Sequence, residues 1–102
     1  MLVRITYTIS NSNLPPAQTR HFIRHYTMSR DFEFHAVDVP DTIDWRLTDL
    51  EPINLPQPRL VNQRDYVANV RIEVAAYDLP NYIKAFNDHN ATMFDLLSKG
   101  LQ

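Results

Sequence analysis

The chain of 102 residues contains no cysteine and a single glycine, Gly100. The absence of cysteine excludes disulfide bonds, thiolate metal sites and thiol catalysis. Phosphate-binding loops, dinucleotide-binding turns and nucleophile elbows need several glycines for close backbone approach, so the scarcity of glycine excludes those sites as well. The longest apolar run, residues 74–77, is far shorter than the ~20 residues of a membrane-spanning helix. No signal-peptide pattern is present. We therefore expect one domain over residues 1–102, a cytoplasmic location and no membrane partner.

What the chain does have is a segregation of charge. Residues 1–30 carry four arginines and no carboxylate, whereas residues 31–51 carry seven carboxylates and one arginine. The remaining half is balanced, and the formal net charge is −2. Separated fields of opposite sign steer and orient charged partners, so this pattern predicts association with other molecules.

The first third of the chain predicts a strand followed by a helix. A half-buried strand is expected over residues 2–9, because every second residue is apolar: Val3, Ile5, Tyr7 and Ile9. Two prolines, Pro15 and Pro16, fit only the first turn of a helix. We therefore expect a helix from these prolines to about residue 29.

The rest of the chain predicts further strands and a second helix. Residues 31–39 indicate a strand, residues 40–52 fit either a third, edge-like strand or a helix with the strand favoured, and residues 52–64 form a proline-rich connection. The clearest strand, expected at the sheet centre, covers residues 65–77. Asp78 is a good N-cap for a helix that begins at Leu79 and is expected to break at Asn90.

This order of elements, β-α-β-(β)-β-α, predicts an α+β two-layer sandwich. Two helices would pack on one face of a mostly antiparallel sheet of three to four strands. The arrangement is an incomplete ferredoxin-like fold that lacks its last strand.

The predicted first helix places a cationic stripe on one flank, formed by Arg20, His21, Arg24 and His25. Together with Arg30, this stripe is the candidate site for a polyanion or an acidic partner. Histidines four residues apart on a helix also fit a metal ion, but the flanking arginines oppose a cation. Solvated surface histidines are the more common outcome, so we expect no metal and no cofactor.

The second candidate site lies in the acidic segment, residues 38–51, which contains the only tryptophan. Its expected contact residues are Asp41, Asp44, Trp45, Asp49 and Glu51. An acidic surface with an aromatic anchor suits a basic protein partner. Equally, Trp45 would cover the core while the acids keep an edge strand soluble.

The leading interpretation is a small non-enzymatic protein-interaction module, such as a regulator, an inhibitor or an assembly component. It would bind a protein partner, or a second copy of itself, through the segregated charges. The alternative is a nucleic-acid-binding accessory protein using Arg20, Arg24 and Arg30, joined by Arg4 and Arg71 from the sheet face. A third reading is a nuclease in which His21 and His25 act as acid and base.

Overall fold

The computed structural model describes residues 1–12, 19–52, 54–60 and 62–100, and from residue 91 onward it describes the backbone alone. One antiparallel sheet contains five strands: β1 (Leu2–Asn11), β2 (Arg20–Met28), β3 (Phe34–Ala36), β4 (Trp45–Thr48) and β5 (Asp65–Ala75). A 3-10 turn at Ala76–Asp78 leads into one helix, α1 (Leu79–Gly100). The α+β class and the antiparallel sheet are therefore confirmed.

The strands are arranged in the order β3-β2-β1-β5-β4. β1 is the middle strand of the five. The prediction that the strand over residues 65–77 lies at the sheet centre is therefore wrong, because β5 lies next to the middle strand. The ambiguous segment around Trp45 does form the expected strand, and that strand lies at an edge. Residues 37–44 connect β3 at one edge to β4 at the opposite edge, with Val37 N–H donating to the His25 carbonyl and the Asp44 carbonyl accepting from Ala76 N–H.

Burial along β1 follows the period of two that the sequence predicts. Four alternate residues are at most 1 % exposed: Val3, Ile5, Tyr7 and Ile9. The residues between them, from Leu2 to Ser10, are half-buried and lie on the other face. We call the side of the sheet that carries Val3 the inner face and the opposite side the outer face.

The predicted helix over residues 15–29 is wrong, because residues 20–28 form strand β2. Pro15 and Pro16, which suggested a helix start, lie outside the described residues. β2 pairs antiparallel with β1 in an unbroken register from Leu2 opposite Thr27 to Ile9 opposite Arg20. β-branched and aromatic residues are frequent in this segment, and such side chains favour a pleated surface over a helix.

The sheet has five strands where three to four were expected, and only one helix is present among the described residues. The predicted strand number, two-helix layer and ferredoxin-like order are therefore wrong in detail. α1 packs on the inner face, where Tyr82 is fully buried in the core together with Phe32 and Leu55 from the connecting segments. The expected break at Asn90 does not occur. Weak helix formers cost only tenths of a kcal/mol each, about 0.7 at most, which an uninterrupted run of helical hydrogen bonds outweighs.

No helix in the described ranges is long and apolar enough to cross a membrane.

Candidate functional site

The predicted cationic stripe is divided by the strand, which sends successive side chains to opposite faces. Arg20 and Arg24 lie on the inner side of β2, with guanidinium carbons 6.0 and 5.5 Å from the Phe22 ring centroid. Arg20 also donates a hydrogen bond of 2.6 Å to the carboxylate of Asp65. Hydrogen bonds from Asn11 and then from Arg20 hold the pKa of Asp65 below its ordinary value. One of the two arginines is therefore already paired within the chain.

The two histidines of the stripe lie on the outer face, separated along the strand. A spacing of four strand residues is about 13 Å, too far for both imidazoles to reach one metal ion or one scissile bond. His21 Nδ1 is 3.2 Å from Thr8 Oγ1, and the His25 ring centroid is 5.6 Å from that of Trp45. Across the described part of the chain, no three histidine, aspartate or glutamate side chains are grouped so that they could hold one metal ion. The geometry that the metal and nuclease readings require is absent from β2.

The remaining basic residue, Arg30, is exposed and follows the end of β2. It lines a small depression together with Asn81 and Lys84 of α1. Arg30 therefore lies beside the helix and does not extend the cationic stripe.

The acidic residues do not form one patch either. Asp44 precedes β4 and forms an exposed ion pair of 2.9 Å with Arg46, whereas Asp49 and Glu51 follow β4 and line an open depression of about 520 Å³. Asp44 and Asp49 lie on either side of this four-residue strand and are about 17 Å apart. Asp41 is exposed in the connection before the strand. The acids are therefore divided between the two ends of β4 and the connection that precedes it.

The outer face has a polar cluster that the sequence did not predict. Glu73, only 7 % exposed, accepts two hydrogen bonds from the Arg4 guanidinium, of 3.1 Å from Nε and 2.7 Å from Nη2. The same guanidinium carbon lies 5.0 Å from the centroid of Trp45, which also contacts His25. We call Arg4, His25, Trp45 and Glu73 the Trp45 cluster. The Trp45 cluster spans four strands, β1, β2, β4 and β5, so the register of these strands fixes its geometry.

A second arginine lies on this face. Arg71 Nε is 3.9 Å from Glu73 Oε1, and the Arg71 side chain is 59 % exposed. The Glu73 carboxylate is already held by Arg4 at much shorter distances, so Arg71 is only a distant partner of it. Asp49 and Glu51 line the depression beside Arg71, so charges of both signs lie at this end of the face.

Two large apolar side chains flank the Trp45 cluster and are open to solvent. Leu47 of β4, opposite Glu73 in the register, is 58 % exposed, and Ile23 of β2, opposite Thr6, is 51 % exposed. They lie about 15 Å apart across the face, from the spacing of strands and residues. Exposed apolar residues on both sides of buried polar groups are typical of an interaction surface.

The sequence contained part of the signal for this site. Arg4 and Glu73 each lie on the polar side of a clearly alternating strand, which predicts that both face away from the core. Their pairing depends on the register between β1 and β5, which are 69 residues apart at this point. No local pattern specifies that register.

Comparison with protein-family models, with curated proteins and with solved structures finds no match to this chain. The functional argument therefore depends on the geometry alone.

Proposed function

We propose that this chain is a small non-enzymatic protein-interaction module that binds a partner on the outer face, around the Trp45 cluster. The observation that supports this most directly is the exposure of Leu47 and Ile23 on either side of the cluster. Burying two such side chains stabilises a complex by about 1.5 to 3 kcal/mol each before association costs. Tryptophan and arginine are also the side chains most enriched among residues that dominate binding.

The outer face is large enough for such a contact. The strands have 10, 9, 3, 4 and 11 residues, which at a rise of about 3.3 Å and a spacing of about 4.8 Å give a face of roughly 600 Å². A standard protein interface buries about 800 Å² on each partner, so the face supplies about three quarters of one side. The depression lined by Asp49 and Arg71 makes the surface concave near β4.

Charge defines the chemistry of the partner. Arg4 and Glu73 neutralise each other, and the charges beside them are Arg71 and, in the adjoining depression, Asp49 and Glu51, so the complementary surface carries apolar side chains with charges of both signs around them. The buried Arg4–Glu73 pair also fixes the position of the Trp45 ring before binding, which reduces the ordering cost.

The test compares variants of the outer face with a matched variant elsewhere. Tagged wild-type protein and the variants I23D, L47D and I83D are used to capture proteins from an extract of the source cells, with quantitative mass spectrometry. Ile83 is an exposed residue of α1, 39 % exposed, so I83D controls for adding a charge. We expect one protein to be retained by wild type and by I83D and lost, at least about tenfold, with I23D and L47D. A protein retained equally by all variants, or none retained by wild type, contradicts the proposal.

A second candidate, nucleic-acid binding, is supported by the presence of the exposed Arg71 and the aromatic ring of Trp45 on the same sheet face. Single strands bind such faces by stacking and by phosphate contacts. The cationic stripe on a helix, from which the sequence predicted nucleic-acid binding, is not formed, because its residues belong to strand β2. Fluorescence anisotropy with labelled single-stranded RNA and DNA, at 50 and 200 mM salt, tests it. Binding that weakens with salt and is lost in R71Q favours this candidate over protein binding.

A further inference from the structure

The outward edge of β2 lacks a neighbouring strand over part of its length. β1 pairs with β2 from Arg20 to Thr27, whereas β3 pairs only with residues 26–28. Met28 N–H donates to the Met1 carbonyl, towards β1, and the His25 carbonyl accepts from Val37 N–H on the opposite side. Backbone groups alternate in direction along a strand, so those of His21 and Ile23 point away from β1. No strand in the described ranges pairs with them.

This edge is regular, whereas the comparable edge of β5 is not. The β1–β2 register runs without interruption, but the β1–β5 register shifts between Thr8 and Ile9, where β5 has one additional residue. Bulges twist an edge away from flat pairing and protect it from further strands. The unpaired part of β2 is therefore the better template for strand addition.

One acceptor of this edge is occupied by an arginine of the same strand. Arg24 Nη1 donates a hydrogen bond of 3.0 Å to the carbonyl of Ile23, where the N–H of a neighbouring strand would bind. No carboxylate of the described chain forms an ion pair with Arg24. An incoming strand can replace this hydrogen bond, and its carboxylate can then take over the guanidinium.

A depression of about 370 Å³ lies where the chain leaves this edge. Its lining residues come from β2 and from the segment that follows β3: Ile23, Arg24, His25, Ala36, Val37 and Asp38. A strand that continues the line of β3 along β2 would begin in this depression.

We propose that an extended acidic segment of a partner protein adds to β2 as a sixth strand, along residues 20–24. Main-chain hydrogen bonds to His21 and Ile23 hold the strand, and Arg24 selects a carboxylate beside it, whereas Arg20 stays paired with Asp65 on the other side of β2. A second copy of this chain fits less well. Antiparallel pairing of two β2 edges centred on Phe22 places Arg20 of each copy beside Arg24 of the other, and like charges directly opposite are destabilising. The edge is separate from the outer-face contact, so the proposal is independent of the proposed function.

The probe is a random library of twelve-residue peptides displayed on yeast and selected with the labelled full chain. Enriched peptides are then tested against the variants H21P, H21A, R24E and I23D. Proline at residue 21 removes an N–H that points outward, which an edge strand tolerates, whereas H21A removes only the side chain. Circular dichroism verifies that each variant is folded.

We expect enriched peptides to share an acidic residue at one position, the one that lies beside Arg24. Their affinity falls at least about tenfold in H21P and in R24E and changes less than about threefold in H21A. Amide hydrogen exchange of Ile23 slows on binding. Peptides without acidic enrichment, or equal affinity for H21P and H21A, overturn the proposal. Self-association of the chain that H21P abolishes also overturns it, because a second copy is then the occupant.

If I23D still binds the peptide but no longer captures the outer-face partner, the β2 edge and the outer face are two distinct binding sites. The Ile23 side chain belongs to the outer face, whereas its backbone belongs to the edge.

Discussion

Replacing Arg4 by methionine tests the cluster on which the outer face is built. Methionine keeps the unbranched stem of arginine beside Trp45 but removes both hydrogen bonds to the Glu73 carboxylate, of 3.1 and 2.7 Å. The carboxylate, 7 % exposed, is then left with only the distant Arg71, at 3.9 Å. A buried charge without its partner is strongly unfavourable.

The magnitude follows from the burial of the pair. Breaking a fully buried ion pair costs about 3 to 5 kcal/mol, and because the Arg4 side chain is 29 % exposed we expect about 2 to 4 kcal/mol in R4M. In the double variant R4M/E73Q the carboxylate is absent, so adding R4M to E73Q should cost only about 1 kcal/mol. The coupling energy between the two positions is then about 1 to 3 kcal/mol. R71Q, which removes an exposed and distant partner, should cost less than about 1 kcal/mol.

The free energy of unfolding is measured in urea for wild type, R4M, E73Q, R4M/E73Q and R71Q. Trp45 is the only tryptophan, so its fluorescence reports the cluster directly, and far-ultraviolet circular dichroism reports the whole sheet. With a slope of about 1 to 1.5 kcal/mol per molar urea, R4M lowers the midpoint by about 2 M. A loss below 1 kcal/mol in R4M, or the same loss with and without E73Q, refutes the claim that the pair organises the outer face.

Three further outcomes concern the core. Tyr82→Phe removes the hydroxyl that donates to the Leu50 carbonyl and should lower the free energy of unfolding, measured in urea, by about 1 to 3 kcal/mol. Tyr66→Phe, at an exposed residue, should lower it by less than about 0.5 kcal/mol. Burial raises the pKa of Tyr7 and Tyr82 above the ordinary value near 10. Both stay neutral in the folded chain while the unfolded chain ionises, so above pH 10 the free energy of unfolding should fall by up to about 2.7 kcal/mol per pH unit, and by half that slope in Tyr7→Phe. A flat alkaline profile contradicts this. Phe32 is buried at φ 60°, so Phe32→Ala should cost about 3 to 5 kcal/mol and Phe32→Gly about 1 kcal/mol less, the reverse of the usual order.

The parts of the fold that the sequence predicted correctly are those in which one local pattern allows one structure. β1 alternates strictly over nine residues, and its buried residues are those on the apolar side of that alternation. β5 lies within the predicted range of 65–77, although the bulge in its first half reverses the faces of Tyr66 and Val67, and the helix begins at Leu79 as predicted. Strong periodicity with a start signal is sufficient in these segments.

Residues 20–28 show why the rest could not be predicted. Phe22, Ile23 and Tyr26 fit a helical stripe, whereas Phe22, Tyr26 and Met28 fit one side of a strand, so the pattern alone does not decide. The long regular pairing with β1 decides in favour of the strand, and that pairing is tertiary information. The candidate site depended on this segment, so the helical stripe from which the metal and nuclease hypotheses were argued is not formed.

The change from helix to strand also alters which partner the charges favour. A helix would have gathered two arginines and two histidines on one stripe, enough to bind several phosphates. In the sheet, Arg24 and Arg20 lie on the inner side and Arg20 is paired with Asp65. On the outer face Arg4, Arg71 and Glu73 sum to +1 at most, since Asp49 and Glu51 line the depression beside Arg71. Single-stranded nucleic acid bound by one net charge gives a salt slope of only about −0.7, which supplies little affinity at physiological salt. Apolar burial at Leu47 and Ile23 does not depend on salt in this way. The distribution of charge in space therefore favours a protein partner more strongly than the distribution along the sequence does.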